Sequence, residues 1–182
     1  MATINQFKAN LVGAGPRNNR FEVFIPRTGS RIQFLCKTAA LPGQVIEPLE
    51  MKYKGLTVKL AGDRVFENWT VGIYNDTEFS ARTAIEAWMA DIVPLDSSVG
   101  PVGYEYMVDK ATVSQLGRDD SVIATYEFFN MWPTTLGPIE MDSEGGDALT
   151  TTDVTLAYSR VITINTVSYT HLRAHETRGN LV

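Results

Sequence analysis

The sequence predicts a mainly β protein, an antiparallel β sandwich or barrel with one flanking α-helix in an α+β arrangement. At least six segments alternate apolar and polar residues with the period of two that half-buried strands show. One segment beyond residue 77 instead spaces its apolar residues by three and four, as an amphipathic helix does. The length of 182 residues, 44% of them hydrophobic, suits one domain that buries a core without disulfides.

The N-terminal part predicts an arm followed by a hairpin. Residues 1–19 are mostly polar and include the run GAGPRNN, so we expect an arm with little order of its own. Apolar residues alternate from Arg20 to Ile25 and again from Arg31 to Lys37. The short gap between these runs predicts two strands joined as a hairpin. The apolar face of the second strand would consist of Ile32, Phe34 and Cys36.

A second hairpin is predicted by the runs Val45 to Tyr53 and Leu56 to Leu60, joined near Lys54-Gly55. In the second run the apolar side chains share one side and the polar ones share the other. We therefore expect a projecting hairpin with one apolar and one polar face. The apolar residues of that run are Leu56, Val58 and Leu60, and the polar ones are Thr57 and Lys59.

The middle of the chain predicts a strand, a helix and a loop. Phe66 to Tyr74 alternates as a strand, and Asn75-Asp76-Thr77 then supplies residues that cap helices. The segment from Glu78 to about Val93 carries the helical spacing, and the run from Pro94 to Gly103 forms the loop that ends it. The apolar stripe of this helix is predicted to contain Ile85, Trp88, Met89 and Ile92.

The remainder returns to strands. A turn is predicted at residues 117–120, where GRDD separates two alternating runs. The predicted strands are Tyr104 to Leu116, Val122 to Met131, Ile139 to Met141 and Thr152 to about Ile164.

Charge and cysteine content restrict the function classes. The chain has 16 Lys and Arg against 21 Asp and Glu, a formal charge of -5, so it lacks the cation surplus of a tight nucleic-acid binder. One cysteine allows neither an internal disulfide nor a cysteine metal cluster. We find no run of 18 apolar residues and no secretory signal. We therefore expect a protein made in a cytoplasm, without a membrane segment.

The last sixteen residues, 167–182, differ abruptly from the strands before them. The stretch VSYTHLRAHET is similar to a translated transposon adapter of the kind used to prepare sequencing libraries. We interpret 167–182 as a non-native tail; a genuine polar extension is the alternative. Both histidines, His171 and His175, lie in it, and without it 14 basic and 20 acidic residues remain. The body would then carry -6.

No catalytic residue, cofactor or metal site is predicted. Without the tail the chain has no histidine, which removes Ser-His-Asp, Cys-His and histidine-metal arrangements. Cys36 is expected to be a buried structural thiol rather than a nucleophile. Paired carboxylates need no histidine, but Asp119-Asp120 falls in a predicted turn. The loop from Asp142 to Asp147 lacks the ligand spacing of a calcium-binding EF-hand loop.

Two further patterns have structural interpretations. The stretch Gly13 to Pro16 neither follows a strand nor opens a helix, so a phosphate cradle is not expected there. The three tryptophans suit core or interface packing better than sugar stacking. They are Trp69, Trp88 and Trp132.

Four blocks together resemble the tail tube proteins of contractile-tailed, T-even-like bacteriophages. They are Phe34 to Gly43 (FLCKTAALPG), Ala61 to Val71 (AGDRVFENWTV), Asn75-Asp76 and Trp132 to Asp142 (WPTTLGPIEMD). Their order and spacing match that family over roughly residues 18–165, so the tail tube domain is expected at 20–166. The combination of four blocks is specific, whereas a single Trp-Pro pair is not.

The resemblance implies a structural virion protein without a catalytic residue. Its β barrel and helix would assemble into hexameric rings, forming a composite barrel that stacks into a hollow tube. That tube would lie within a contractile sheath, stand on a baseplate, take its length from a tape-measure protein and conduct DNA. Assembly would occur in the host cytoplasm.

Two other function classes remain open at this point. One is the tube of a phage-derived contractile injection or secretion particle. The other is a carbohydrate-active β-sandwich enzyme or binding module, which as an enzyme would need two convergent carboxylates in a cleft.

Physical reasoning adds a candidate interface. Edge strands pairing between copies would remove exposed sheet edges, and an acidic wall would let DNA pass without binding it. The hairpin Glu47 to Leu60 is the expected contact to an adjacent ring or subunit, unless it packs within its own chain. Asp63 and Arg64 are expected to form an ion pair or fix a turn near a subunit seam, or to be an ordinary surface pair. The predicted interface residues are Tyr53, Leu56, Val58, Leu60, Asp63 and Arg64.

Overall fold

Ten strands and three α-helices form the described part of the chain, residues 3–11, 15–29, 31–96, 99–142 and 148–165 of a computed structural model. The helices are α1 (Ile4–Asn10), α2 (Arg31–Leu35) and α3 (Ser80–Ile92). The strands are β1 (Phe21–Phe24), β2 (Cys36–Ala39), β3 (Val45–Tyr53), β4 (Leu56–Val65), β5 (Trp69–Tyr74), β6 (Ala111–Leu116), β7 (Val122–Phe129), β8 (Trp132–Leu136), β9 (Thr151–Ala157) and β10 (Arg160–Asn165). The tail 167–182 lies outside these residues.

The strands form two antiparallel four-stranded sheets and a separate hairpin. The first sheet has the order β1-β6-β7-β10, and the second has the order β2-β5-β9-β8. Among the strands that the structure describes, β3 and β4 pair only with each other. The predicted class, mainly β and antiparallel with one long helix, is confirmed, although the described strands do not close into a barrel within one chain.

The core lies between the two sheets. Trp69 from the second sheet stacks on Phe128 from the first, with ring centroids 4.5 Å apart. Burying a large apolar side chain contributes about 1.5 to 3 kcal/mol, so this two-layer core accounts for much of the stability. The inward residues of the first sheet include Val23, Val113, Phe128 and Val161, and those of the second include Trp69, Val71, Val154 and Leu156.

Helix α3 covers part of the core, as its apolar spacing predicts. It begins two residues after the predicted Glu78, because Asp76 accepts hydrogen bonds from the backbone N–H of Ser80 (2.8 Å) and from its hydroxyl. The indole of Trp88 donates to the carbonyl of Tyr106 at 2.6 Å, which satisfies its one polar atom in the core. The core side chains of this helix are Ala81, Ile85 and Trp88. None of the helices within the described ranges is long and apolar enough to cross a membrane.

The N-terminal predictions need correction. Part of the expected disordered arm is helix α1, which starts with a capping box at Thr3 and has no buried residue. The predicted hairpin at residues 20–37 is wrong. Residues 31–35 form α2, and β1 pairs with β6 whereas β2 pairs with β5. Five alternating residues fit a strand and a helical turn equally well, and the helix places Ile32 in the core, where it is completely buried.

The C-terminal predictions also change. No strand occurs at residues 139–141; the strand is β8, which contains Pro133. Proline has no N–H, and β8 is an edge strand with a register shift at Pro133, where a missing donor is tolerated. The single strand predicted from 152 to 164 is two, β9 and β10, which belong to different sheets. The strand predicted from 104 begins only at Ala111.

Candidate subunit interface

The β3–β4 hairpin stands apart from the two sheets. Its strands pair only with each other, and every residue in both is exposed. Lys54 and Gly55 have φ angles of 48° and 83°, the left-handed pair that a two-residue type I′ turn requires. An isolated two-stranded ribbon is at best marginally stable in water. Among the described residues, no further strand extends this ribbon.

The pairing register gathers the apolar side chains of this hairpin on one face. Tyr53 pairs with Leu56 beside the turn. Every second cross-strand pair away from the turn is also apolar, Met51 with Val58 and then Leu49 with Leu60. Directly opposite residues project to the same side of a sheet. The apolar hairpin face thus defined consists of Val45, Leu49, Met51, Tyr53, Leu56, Val58, Leu60 and Val65.

The opposite face of the hairpin is polar near the turn, where it carries Glu50, Lys52, Thr57 and Lys59, and has the exposed Ile46 at the far end. Lys59 forms a salt bridge with Glu50 at 3.3 Å, with both side chains more than half exposed. Such a pair contributes about 1 kcal/mol or less. The two faces therefore differ as the alternation at residues 56–60 predicts, and the face that lacks a partner is the apolar one.

A β-bulge interrupts the pairing of the hairpin near its root, the end away from the turn. Gly62 and Asp63 together oppose the single residue Glu47. A Cβ at Gly62 would lie 2.5 Å from the carbonyl oxygen of Glu47, so only glycine fits here without a backbone shift. Asp63 and its neighbour Arg64 thus belong to a bulged strand. The predicted ion pair or turn-fixing role of these two residues near a subunit seam stays a prediction.

The predicted interface residues fall into two groups. Tyr53, Leu56, Val58 and Leu60 come together on the apolar hairpin face, whereas Asp63 and Arg64 lie at the root. The sequence analysis missed the rest of the face. The alternation of apolar residues from Val45 to Tyr53 could have predicted most of it, but Pro48 and two glutamates obscure that alternation. The missed residues are Val45, Leu49, Met51 and Val65.

A second unpartnered surface lies between the C-terminal half of α3 and strand β8. This α3–β8 groove has a volume of about 570 Å³. Leu95 is 94% exposed at its margin, and Val93 is 55% exposed. Its apolar lining includes Met89, Ile92, Val93, Leu95, Trp132 and Pro133. No sequence pattern predicts this groove, because it joins residues about forty positions apart.

Both sheets end in strands that pair on one side only, counting the described residues. The edge strands are β1 and β10 in the first sheet and β2 and β8 in the second. Ile162 and Ile164 on β10 are 44% and 42% exposed. Edge strands with exposed apolar residues are templates for pairing with another chain.

The chemistry-bearing residues do not form a reactive centre. Burial raises the pKa of the Cys36 thiol to about 12, so it is protonated at neutral pH and a poor nucleophile. In the turn at 117–120, hydrogen bonds from the Ser121 hydroxyl and from backbone N–H groups lower the pKa of Asp119. Asp120 pairs with Arg20 at 2.5 Å. Both carboxylates therefore build the turn.

The remaining acidic candidates line a depression of about 760 Å³ beside the start of β9. Its carboxylates are Glu140, Asp142 and Asp153, and all three residues are exposed. Residues 143–147 of the loop considered for calcium lie outside the described residues. Within the described ranges, no three His, Cys, Asp or Glu residues are grouped so as to hold a metal ion.

Comparisons with known proteins identify what the chain is similar to. A family profile described as phage tail tube protein matches residues 2–164. The tail tube protein gp19 of Enterobacteria phage T4 is 32% identical over 143 residues, which cover 78% of this chain and 87% of that relative. The tail tube protein of Serratia phage KSP90 is 24% identical over 173 residues, 89% of this chain and 97% of the relative.

Solved structures share the fold at low sequence identity. The sheath/tube terminator of an extracellular contractile injection system, PVC, superposes with a TM-score of 0.63 at 18% identity, covering 84% of this chain and 99% of that one. The tube-terminating cap of the anti-feeding prophage gives a TM-score of 0.61 at 17% identity, with 83% and 91% covered.

Proposed function

Because the chain belongs to the phage tail tube protein family, we propose that it is the subunit of the inner tube of a contractile phage tail. In this role hexameric rings of the subunit stack into a hollow tube that conducts DNA into the host. The protein would be assembled in the host cytoplasm and become part of the virion.

The observation that carries this proposal is the uncovered apolar hairpin face. Eight apolar side chains on a ribbon without support from its own sheets form the kind of surface that marks a protein–protein interface. A subunit that functions alone gains nothing from such a ribbon. A subunit that contacts neighbours in a ring or between rings buries it.

Ring formation also has a basis in the open sheets. If the edge strands of one copy pair with those of the next, six copies join their sheets around a lumen. Head-to-tail contacts of this kind generate rings when the rotation closes. The composite barrel would then be a property of the assembly, which agrees with sheets that stay open in a single chain.

The charge of the chain suits a conduit for DNA. A wall that neutralised phosphates would release counterions and bind the DNA tightly. The formal charge of -5, or -6 without the tail, instead gives net repulsion of a polyanion. DNA would pass through the lumen without specific binding.

The proposed partners are the tail components that a tube subunit must contact, a sheath protein, a baseplate and a tape-measure protein. The sheath is supported by a relative in fold, because the PVC structure contains sheath and tube components. Co-purification of the assembled tube with sheath subunits expressed from the same phage genome tests this contact.

A tube subunit of a phage-derived injection or secretion particle is the second candidate. The fold similarity to injection-system proteins, with TM-scores of 0.63 and 0.61, favours it as strongly as it favours a phage tail. Such a tube would conduct protein or ions. Genes for a capsid and a terminase beside this gene would support the phage tail, and their absence would support the particle.

We infer a structural role rather than a carbohydrate-active one. The three carboxylates of the 760 Å³ depression are solvent-exposed, whereas a glycosidase holds its acid catalyst in an apolar environment. Incubation with a panel of bacterial surface glycans tests this inference, and release of reducing sugar that Asp153→Asn abolishes would contradict it.

The domain limits follow the same proposal. Residues 20–166 form the tube domain, 1–19 form an N-terminal arm that contains α1, and 167–182 are a non-native tail. Recovery of the codons for 167–182 from an independently prepared library would contradict the last assignment.

Negative-stain microscopy of the purified chain tests the proposed function directly. The full-length protein and a variant ending at Thr166 should each be imaged across a concentration series. Rings with six subunits and stacked tubes are expected, with longer tubes for the variant if the tail obstructs stacking. A protein that stays monomeric in both forms at every concentration would refute the proposal.

A further inference from the structure

We propose that the hairpin tip, residues 53–56, docks into the α3–β8 groove of a second copy of this chain. This inference rests on the proposed function for self-assembly, and it specifies which two surfaces meet. The described part of the chain covers neither surface, since Tyr53 and Leu56 are 65% and 71% exposed and Leu95 is 94% exposed.

The tip has the side chains of an interface anchor. Tyr53 and Leu56 form the cross-strand pair next to the turn and are the two most exposed members of the apolar hairpin face. Lys54 lies over the Tyr53 ring at 5.3 Å. Tyrosine side chains that fill pockets are frequent hot spots, because they bury a large rigid area with one polar end.

The groove has the size and chemistry to receive that pair. Its volume of about 570 Å³ lies within the range of about 300 to 1,000 Å³ typical of pockets that bury a small ligand. Met89, Trp132 and Pro133 line it, with Val93 and Leu95 at the margin. An aromatic ring and an isobutyl group would displace water from apolar surface on both partners.

Charge complementarity selects the hairpin tip as the occupant. Residues 50–59 carry three lysines and one glutamate, a net charge of +2, whereas residues 78–96 carry four acids and one arginine. Arg27 pairs with Asp91 at 3.2 Å, so the net charge on the groove side is -2 when Arg27 is included. Glu86 lines the groove, and Asp96 lines the adjoining depression. Opposite charges around an apolar anchor steer association and fix its orientation.

The contact is heterologous, because the tip and the groove are different surfaces. Each copy offers one tip and one groove, so a chain of such contacts closes into a ring when the rotation closes. Helix α1 is the competing occupant, since it exposes Ile4 and Phe7. Its described residues carry only one charge, Lys8, so it complements the acidic rim less well.

Complementation between two variants tests the inference. The tip variant is Tyr53→Asp with Leu56→Asp, and the groove variant is Val93→Asp with Leu95→Asp. Each retains one intact half of the contact. We expect each alone to lose rings and tubes and sediment as a monomer, and an equimolar mixture to give a species of twice the 20.2 kDa subunit mass. Far-ultraviolet circular dichroism and urea unfolding confirm that both variants fold.

Matched controls separate the possible outcomes. Met141→Asp with Leu149→Asp adds the same charge at side chains that are 79% and 73% exposed elsewhere and should assemble like the parent. The inference is overturned if the groove variant assembles normally or if the mixture stays monomeric. It is also overturned if the groove variant forms no rings or tubes while the tip variant does. That result is expected if α1, and not the hairpin tip, occupies the groove. If the unmodified protein forms tubes while any of these results is obtained, the inference fails but the proposed function stands.

Discussion

Placing charge on the apolar hairpin face should abolish assembly without unfolding the subunit. The perturbation is Leu56→Asp together with Val58→Asp, two neighbours on that face whose side chains are 71% and 46% exposed. Full burial of such a side chain is worth about 1.5 to 3 kcal/mol. Covering the exposed parts therefore contributes about 2 to 3 kcal/mol per hairpin, a factor of roughly 30 to 150 in each contact's equilibrium constant.

The loss accumulates over the proposed hexamer. Six equivalent contacts would lose about 12 to 18 kcal/mol of apolar burial, and burying carboxylates without partners costs more. The monomer should change little, because these side chains lie outside the core. Its free energy of unfolding is expected to fall by about 1 kcal/mol or less.

Sedimentation velocity and negative-stain microscopy measure assembly, and urea unfolding measures the monomer. The matched control is Thr57→Asp with Ala61→Asp, which adds two carboxylates to the polar face of the same strand and should still form tubes. Unchanged tube formation by the Leu56 and Val58 variant would refute the assignment of this face. Equal loss in the control would show that added charge, and not the apolar face, is responsible.

Three further predictions concern the bulge, the thiol and the core. Gly62→Ala should shift the backbone against Glu47, whose carbonyl oxygen would lie 2.5 Å from the new Cβ; hydrogen exchange of the hairpin amides should accelerate, and unchanged protection would contradict the bulge. Cys36, with a pKa raised to about 12, should react with iodoacetamide at pH 8 roughly a thousand times more slowly than an ordinary thiol; fast labelling of folded protein would show an accessible thiolate, and urea-unfolded protein is the control. Phe128→Ala removes a fully buried ring stacked on Trp69 and should lower the free energy of unfolding by about 3 to 5 kcal/mol; a loss below about 1 kcal/mol in urea titration would contradict the core assignment.

The β3–β4 hairpin was the most predictable element. Its second strand alternates cleanly, and a two-residue turn at Lys54-Gly55 sets the register by local geometry alone. Local rules suffice because neighbouring residues on the chain make the contacts. The same holds for α3. Its apolar spacing, and the Asp76 carboxylate that accepts a hydrogen bond from the Ser80 N–H at its start, lie within one continuous segment.

The errors arose where distant contacts decide the local structure. Residues 31–35 alternate like a strand but form α2, which packs against β1, β5 and α3. The run from 152 to 164 divides at residues 158–159, where the Tyr158 ring packs on Phe128 with centroids 4.9 Å apart. There the chain passes from one sheet to the other. Val154 and Leu156 are buried before this break and Val161 after it, whereas the exposed Ile162 and Ile164 continue the even-numbered apolar spacing, so the alternation does not reveal the break.

The sequence by itself determined the class of the fold, the two faces of the hairpin and the resemblance to tail tube proteins. These properties follow from alternation, turn chemistry and residue blocks, which are local along the chain. Only the tertiary structure decided that the hairpin lies outside both sheets. It also decided that α3 and β8, which are about forty residues apart in sequence, enclose an apolar groove. Burial depends on which distant segments meet, and no periodicity within one segment contains that information.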